Sequence, residues 1–286
     1  MCCASCGTKA NDDVKLKKCG ACNLVRYCGV KCQREHRPHH KRECKKCAAE
    51  LHNAILFKQP ESSHLGDCPI CCLPLSLDVK KSITMACCSK MICQGCSYAN
   101  KTREKERSLQ ERCPFCRHPT PKTEAEIDKS RMKRVKANDP FAICAFGTSC
   151  YYEGDYESAL EYWEKSAKLG DAEAHYCLSN MFVGTNMKKA IYHWEKAAIG
   201  GHHMARHNLG CIEFENGNAD RAVKHYSIAA SLGLDNSLKK LRECYKKGWV
   251  SKEDFAAALR AHQAAADATK SLQREKGEEC YCRKGM

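Results

Sequence analysis

No run of apolar residues in this 286-residue chain approaches the ~20 that a helix needs to cross a bilayer. Met1 to Ala10 holds no apolar stretch of the kind that drives secretion. Arg283 to Met286 contains no cysteine for prenylation, and no glycine follows Met1 for acylation. Glycine-rich phosphate loops, nucleophile elbows and paired-histidine metalloprotease motifs are all missing. These absences set the expectation of an intracellular protein, cytoplasmic or nuclear, with no membrane association and no catalytic residues of its own.

Cysteine is what the chain has in excess: 25 residues, 18 of them before position 117. In a reducing compartment such density points to metal rather than to disulfides. The spacing agrees, because Cys-x-x-Cys recurs throughout that region. Two thiolates separated by a tight turn can both reach one tetrahedral zinc at about 2.3 Å.

The pairs fall into two blocks. The first runs Cys3-x-x-Cys6, Cys19-x-x-Cys22, Cys28-x-x-x-Cys32 and His40-x-x-x-Cys44; the second runs Cys68-x-x-Cys71, Cys87 and Cys88, Cys93-x-x-Cys96 and Cys113-x-x-Cys116. Eight or nearly eight donors per block predict about four zinc ions. The first block has so few apolar residues that its fold is expected to depend on metal. Cys2 competes with Cys3 for the first position, and His36 and His39 compete with His40. Pro38 should break the run from Cys32 to Cys44 into two short helices, with His40 and Cys44 one turn apart on the second.

The formal charge of +14 lies wholly on this half: residues 1–60 contribute +8, residues 61–138 contribute +6, and residues 139–286 are balanced. Four thiolate-rich zinc centres would cancel about seven of those charges, since a tetrathiolate zinc is a dianion. Binding of nucleic acid is therefore not expected from charge alone.

With Tyr27 before Cys28, Gln33 after Cys32 and the closing His40-Lys41-Arg42-Glu43-Cys44, the first block resembles the MYND zinc finger. The resemblance implies interleaved metals, one held by Cys3, Cys6, Cys28 and Cys32, the other by Cys19, Cys22, His40 and Cys44. It also implies a groove for proline-rich peptides, but Arg37 stands where the family's peptide-contacting tryptophan belongs.

Cys68-Pro69-Ile70-Cys71 and Cys113-Pro114-Phe115-Cys116-Arg117 make the second block similar to a RING finger. Lys90 occupies the family's histidine position, so a donor must come from elsewhere; Cys87 is the first candidate and Cys72 the second. The resemblance implies Cys68, Cys71, Cys93 and Cys96 on one metal and Cys88, Cys113 and Cys116 on the other, with Cys87, or else Cys72, as the remaining donor. It implies docking of a ubiquitin-conjugating enzyme through Ile70, Pro114 and Arg117. The stretch from Asn100 to Arg112 reads as an exposed helix or loop.

Beyond residue 138 the chain repeats itself every 31 to 32 residues: Ala142, Ala174, Ala205 and Ser237; Trp163, Trp194 and Tyr226; Ala167, Ala198 and Ala230. Small residues at fixed positions, with glycines closing each unit, predict an antiparallel helix-pair solenoid in which the aromatic residues are core. The pattern resembles Sel1-like repeats, relatives of the tetratricopeptide repeat. His202, His203 and His207 open a helix with no matching metal partner in view.

The expected organisation is a MYND-type finger (1–50), a linker (51–67), a RING-like finger (68–120), a charged connector (121–138), repeats with a capping helix (139–270) and a disordered tail (271–286). The fold class is thus two small zinc-stabilised irregular domains followed by an all-α solenoid. This order of parts suggests a RING-type ubiquitin ligase whose repeats select a protein substrate, or a non-catalytic adaptor built from the same parts.

Overall fold

The structure, a computed structural model, describes residues 1–283, except the side chains of Cys282 and Arg283. It divides into two compact units, Met1–Lys58 and Gln59–Met286. No helix among the described residues is long and apolar enough to cross a membrane.

In the first unit, β1 (Lys17–Lys18) pairs antiparallel with β2 (Arg26–Tyr27), and a single helix, α1, runs from Val30 to Leu56. Tight turns shape the cysteine pairs: the Gly7 amide donates to Cys3 O at 3.0 Å and that of Asn23 to Cys19 O at 2.9 Å, with Gly7 and Asn23 at positive φ. The expected break at Pro38 does not occur. Pro38 lies inside α1, where it removes one backbone donor. Donors on both sides of it, Cys32 before and His40 and Cys44 after, point into the fold and fix the two halves in one register. The helix also runs into the segment expected to be linker.

The second unit begins with an irregular finger. β3 (Ser82–Thr84) and β4 (Met91–Cys93) form a hairpin with Ile83 opposite Ile92, and α2 (Gln94–Glu106) follows at once. The stretch after Asn100 is less exposed than its charges suggest. Glu104 is buried and accepts from the Arg112 amide at 3.1 Å, while Asn100 donates to Arg112 O at 3.0 Å, so the helix clamps the strand-like segment that follows. The charged connector is largely helical: Thr123 caps α3 (Glu124–Lys136) by accepting from the Glu126 amide.

Eight helices make the solenoid: α4 (Pro140–Tyr152), α5 (Tyr156–Lys168), α6 (Ala172–Phe182), α7 (Met187–Ile199), α8 (His203–Glu215), α9 (Ala219–Ser231), α10 (Asp235–Lys246) and α11 (Lys252–Ala268). Asp139, Asp155, Asp171, Asn186 and Ser251 cap five of them through side-chain oxygens. Trp163, Trp194 and Tyr226 are buried between the helices of successive pairs. Each ring needs a small residue opposite: a Cβ on Gly147 would lie 3.0 Å from Trp163, and one on Gly210 only 2.6 Å from Tyr226.

The tail differs most from expectation. Leu272–Arg283 is a helix, α12, packed against α2, whereas residues 284–286 lie outside the described residues. Its anchor is Arg274, buried to 5 % exposure, whose guanidinium donates to Pro74 O (2.7 Å), Leu73 O (2.9 Å) and Thr269 O (2.9 Å). A sequence this polar does not hold a helix alone; backbone carbonyls of the finger supply what its own side chains lack.

Candidate metal centres

Four groups of donors form in the two fingers. Cys3 and Cys6, within the turn that Gly7 closes, meet Cys28 just before α1 and Cys32 in its first turn, with all ligand atoms within 4.8 Å of one another. Cys6 Sγ lies 3.6 Å and Cys32 Sγ 3.5 Å from Cys28 Sγ. Cys19 and Cys22 meet His40 and Cys44 from the middle of α1, with Cys19 Sγ 3.7 Å from Cys44 Sγ and Cys22 Sγ 3.2 Å from His40 Nε2. The other candidates are placed differently. His36 Nδ1 lies 3.1 Å from the Tyr27 hydroxyl and its ring stacks on His40, whereas His39 and Cys2 are exposed.

In the second finger, Cys68 and Cys71 meet Cys93 and Cys96, with Cys71 Sγ 3.9 Å from Cys93 Sγ. Cys87 and Cys88 meet Cys113 and Cys116: Cys88 Sγ is 3.9 Å from Cys113 Sγ, and Cys116 Sγ is 3.3 Å from Cys87 Sγ. Cys72 is exposed and outside both groups. Lys90 instead sets its ammonium 5.9 Å from the centre of the Phe115 ring.

These distances test the chemistry. A tetrahedron with zinc–sulfur bonds of ~2.3 Å has edges of ~3.8 Å. The sulfur pairs stand at 3.3–3.9 Å, far beyond a disulfide bond, and the cysteines of all four groups are free thiols. The thiols of one group also oppose each other's ionisation. Hydrogen bonding with Cys32, then with Cys6 and Cys3, pushes the Cys28 thiol up to about 12, whereas the backbone amide of Cys6 draws Cys3 down to about 6. Burial pushes Cys88 up to about 11. A divalent cation at the centre of each group removes that conflict, since it favours every thiolate at once.

Residues 3–44 match the MYND finger family, and residues 142–171, 172–202 and 203–234 match the Sel1 repeat family. The chain carries a MYND finger and three Sel1 repeats. The MYND finger is a zinc module, and the first unit brings together two groups of four side chains that could hold such an ion. Over 52 residues, 18 % of this chain and 11 % of the relative, the sequence is 40 % identical to SET domain and MYND-type zinc finger protein 6 of Schizosaccharomyces pombe. Over 179 residues, 56 % of this chain and 28 % of the relative, it is 24 % identical to ERAD-associated E3 ubiquitin-protein ligase component HRD3B of Arabidopsis thaliana. The chain thus spans less than a third of the length of either. A Sel1 repeat protein from Oxalobacter formigenes aligns at a TM-score of 0.43 and 21 % identity, covering 61 % of this chain and 72 % of that one.

The residues that a RING resemblance assigns to docking lie at the surface of the second finger. Ile70 is 41 % exposed, Arg117 is exposed at φ 62°, and Pro114 is half-buried beside Phe115. Two further residues went unforeseen. Arg274 Nη2 donates to Cys71 Sγ at 3.4 Å and Gln273 Nε2 to Cys96 Sγ at 3.3 Å, so α12 supplies outer-sphere hydrogen bonds to two donors of one group. No local motif marks them, because their partners lie about 200 residues earlier.

Proposed function

We propose that the chain is a ubiquitin ligase of the RING type, holding four zinc ions, whose Sel1 repeats and MYND finger recruit the protein to be modified. The observation that carries the reading is the position of Cys87. It gives the last donor group a fourth sulfur where Lys90 cannot serve, so both loops that present Ile70, Pro114 and Arg117 have a complete set of four donors to fold around. Further support comes from the likeness of the chain to a protein named as a ligase component.

The transfer itself needs no acid, base or nucleophile from this chain. The substrate lysine attacks the thioester carbonyl of a charged conjugating enzyme, the thiolate leaves and an isopeptide bond forms. The ligase contributes orientation and proximity. Substrate choice falls to the repeats and to a groove beside α1 where Arg34, Arg37, Lys41 and Lys45 surround Tyr27 and Val30. With Arg37 in place of tryptophan, this groove favours a carboxylate-bearing peptide over a proline-rich one.

Purified protein should support ubiquitin transfer with at least one conjugating enzyme of a broad panel. Ile70→Ala and Arg117→Ala should reduce that transfer at least tenfold at unchanged zinc content. The second reading, a non-catalytic adaptor, rests on the same Sel1 and MYND modules. It prevails if no conjugating enzyme is stimulated while the repeats still retain defined partners.

A further inference from the structure

A fifth cluster lies away from the thiolates. His64, in the segment leading to the second finger, packs against His202 and His203 at the start of α8, and one ligand nitrogen from each lies within 4.8 Å of the others. The segment is clipped in place by its backbone. The His64 amide donates to Gly201 O at 3.1 Å, and a Cβ on Gly201 would stand 2.7 Å from Ser62 O, so only glycine admits this approach.

The hydrogen bonds assign a role to each ring. Glu173, in the first turn of α6, sets Oε2 3.1 Å from both His64 Nε2 and His202 Nε2. His202 accepts from the Ala205 amide at Nδ1, so its proton is on Nε2 and points to Glu173. It caps α8 and holds the carboxylate. His64 donates through Nε2, which leaves its Nδ1 as a bare lone pair. That atom is buried without a partner in a side chain only 7 % exposed, and Nδ1 of His203 is also buried and unpartnered. Each of these nitrogens carries the cost of an unmet buried lone pair if nothing meets it.

Ring spacing indicates what does. Two imidazoles on one tetrahedral zinc, with bonds of ~2.0–2.1 Å, hold their ring centres about 5 Å apart. The His64 and His203 rings are 5.5 Å apart. A carboxylate behind the first ring, fixing its tautomer and raising its basicity, is the usual outer support of a metal-bound histidine.

We propose that His64 and His203 bind one zinc-class divalent ion through Nδ1, with solvent completing the coordination and with Glu173, steadied by His202, behind His64. The ion ties the segment before the second finger to the turn between the second and third repeats. The site is chemically separate from the fingers, having nitrogen donors and no sulfur.

The test compares full-length wild type with the double variant His64→Gln/His203→Gln, counting metal by mass spectrometry after equilibration with zinc and then with cobalt. Wild type should hold one equivalent more, whatever the number in the fingers. With cobalt, that equivalent should add no sulfur-to-metal charge-transfer absorption. Glu173→Gln, which keeps the shape but weakens the support, should reduce affinity at this site about 10- to 100-fold. It should also speed proteolysis between residues 59 and 67. Equal metal counts in wild type and double variant would overturn the proposal and leave the cluster as a hydrogen-bonded clip only. So would an additional equivalent that carries the thiolate absorption, or an affinity unchanged by Glu173→Gln.

Discussion

Gly277 of α12 crosses Gly95 of α2 so closely that a Cβ on Gly277 would stand 2.7 Å from the Gly95 Cα. Neither backbone can retreat without parting the two helices. Gly277→Ala should therefore destabilise this junction by roughly 1–3 kcal/mol, the range for overpacking a tight contact. Arg274→Ala should cost as much or more, because it takes the Arg274 guanidinium from Pro74 O and leaves Leu73 O with the Cys68 amide alone. Hydrogen exchange should report both as faster exchange throughout α12 and at the amides around Cys68 and Cys71.

The donor set of the last group separates Cys87 from Cys72. Cys87→Ala should lower the metal content by one ion per chain and loosen the loop from Cys113 to Arg117, since it removes one of four sulfurs. Cys72→Ala should leave the count unchanged, because Cys72 is exposed and outside every group. Metal analysis of the two variants beside wild type decides it.

Removal of metal should act unequally along the chain. A strong chelator should unfold both fingers, whose buried residues are largely the donors themselves. The helices α4 to α11 should persist on their own core of Trp163, Leu178, Tyr226 and Leu241. Circular dichroism should thus retain most of its helical signal while near-ultraviolet signals from the fingers are lost. Parallel loss of both would show that the solenoid depends on metal.

Acid should weaken the solenoid through its buried imidazoles. Burial, aided by the charges of Arg206 and Arg221, lowers His225 to about 3; burial, then His193 and Lys196, lowers His175 to about 4. Both are neutral when folded, and the unfolded chain takes up their protons below about 6.5. Stability is therefore full above that pH and falls as the pH drops from 6.5 towards 4. For His225, fully buried, the loss between pH 6.5 and 5 is about 2 kcal/mol. Urea midpoints of the helical signal at pH 7 and pH 5 should show it, and His225→Leu should flatten the difference.

Much of this molecule could be read before any coordinates. The clustering of the cysteines was legible because their pairs leave few other groupings, and the solenoid because Trp163, Trp194 and Tyr226 return at a fixed period. What escaped was long-range. Pro38 argued for a break, yet donors on both its flanks hold α1 continuous. The tail argued for disorder by its polarity, and the carbonyls that order it belong to Leu73 and Pro74. His202 and His203 seemed to lack a partner because His64 precedes them by more than a hundred residues. Local pattern reports what a segment prefers alone, and these segments are decided by distant neighbours.

The unbroken α1 has a consequence for how the MYND finger gains and loses its ions. Cys32 stands in one donor group and His40 and Cys44 in the other, all on one helix. An ion arriving at either centre fixes the axis of that helix, and so spares its neighbour part of the entropy of ordering. Occupancy of the pair should then be cooperative, with the half-loaded finger a sparsely populated species. In a cell whose free zinc fluctuates, such a finger behaves as a threshold device, switching between empty and full over a narrower range of zinc than two independent sites would allow.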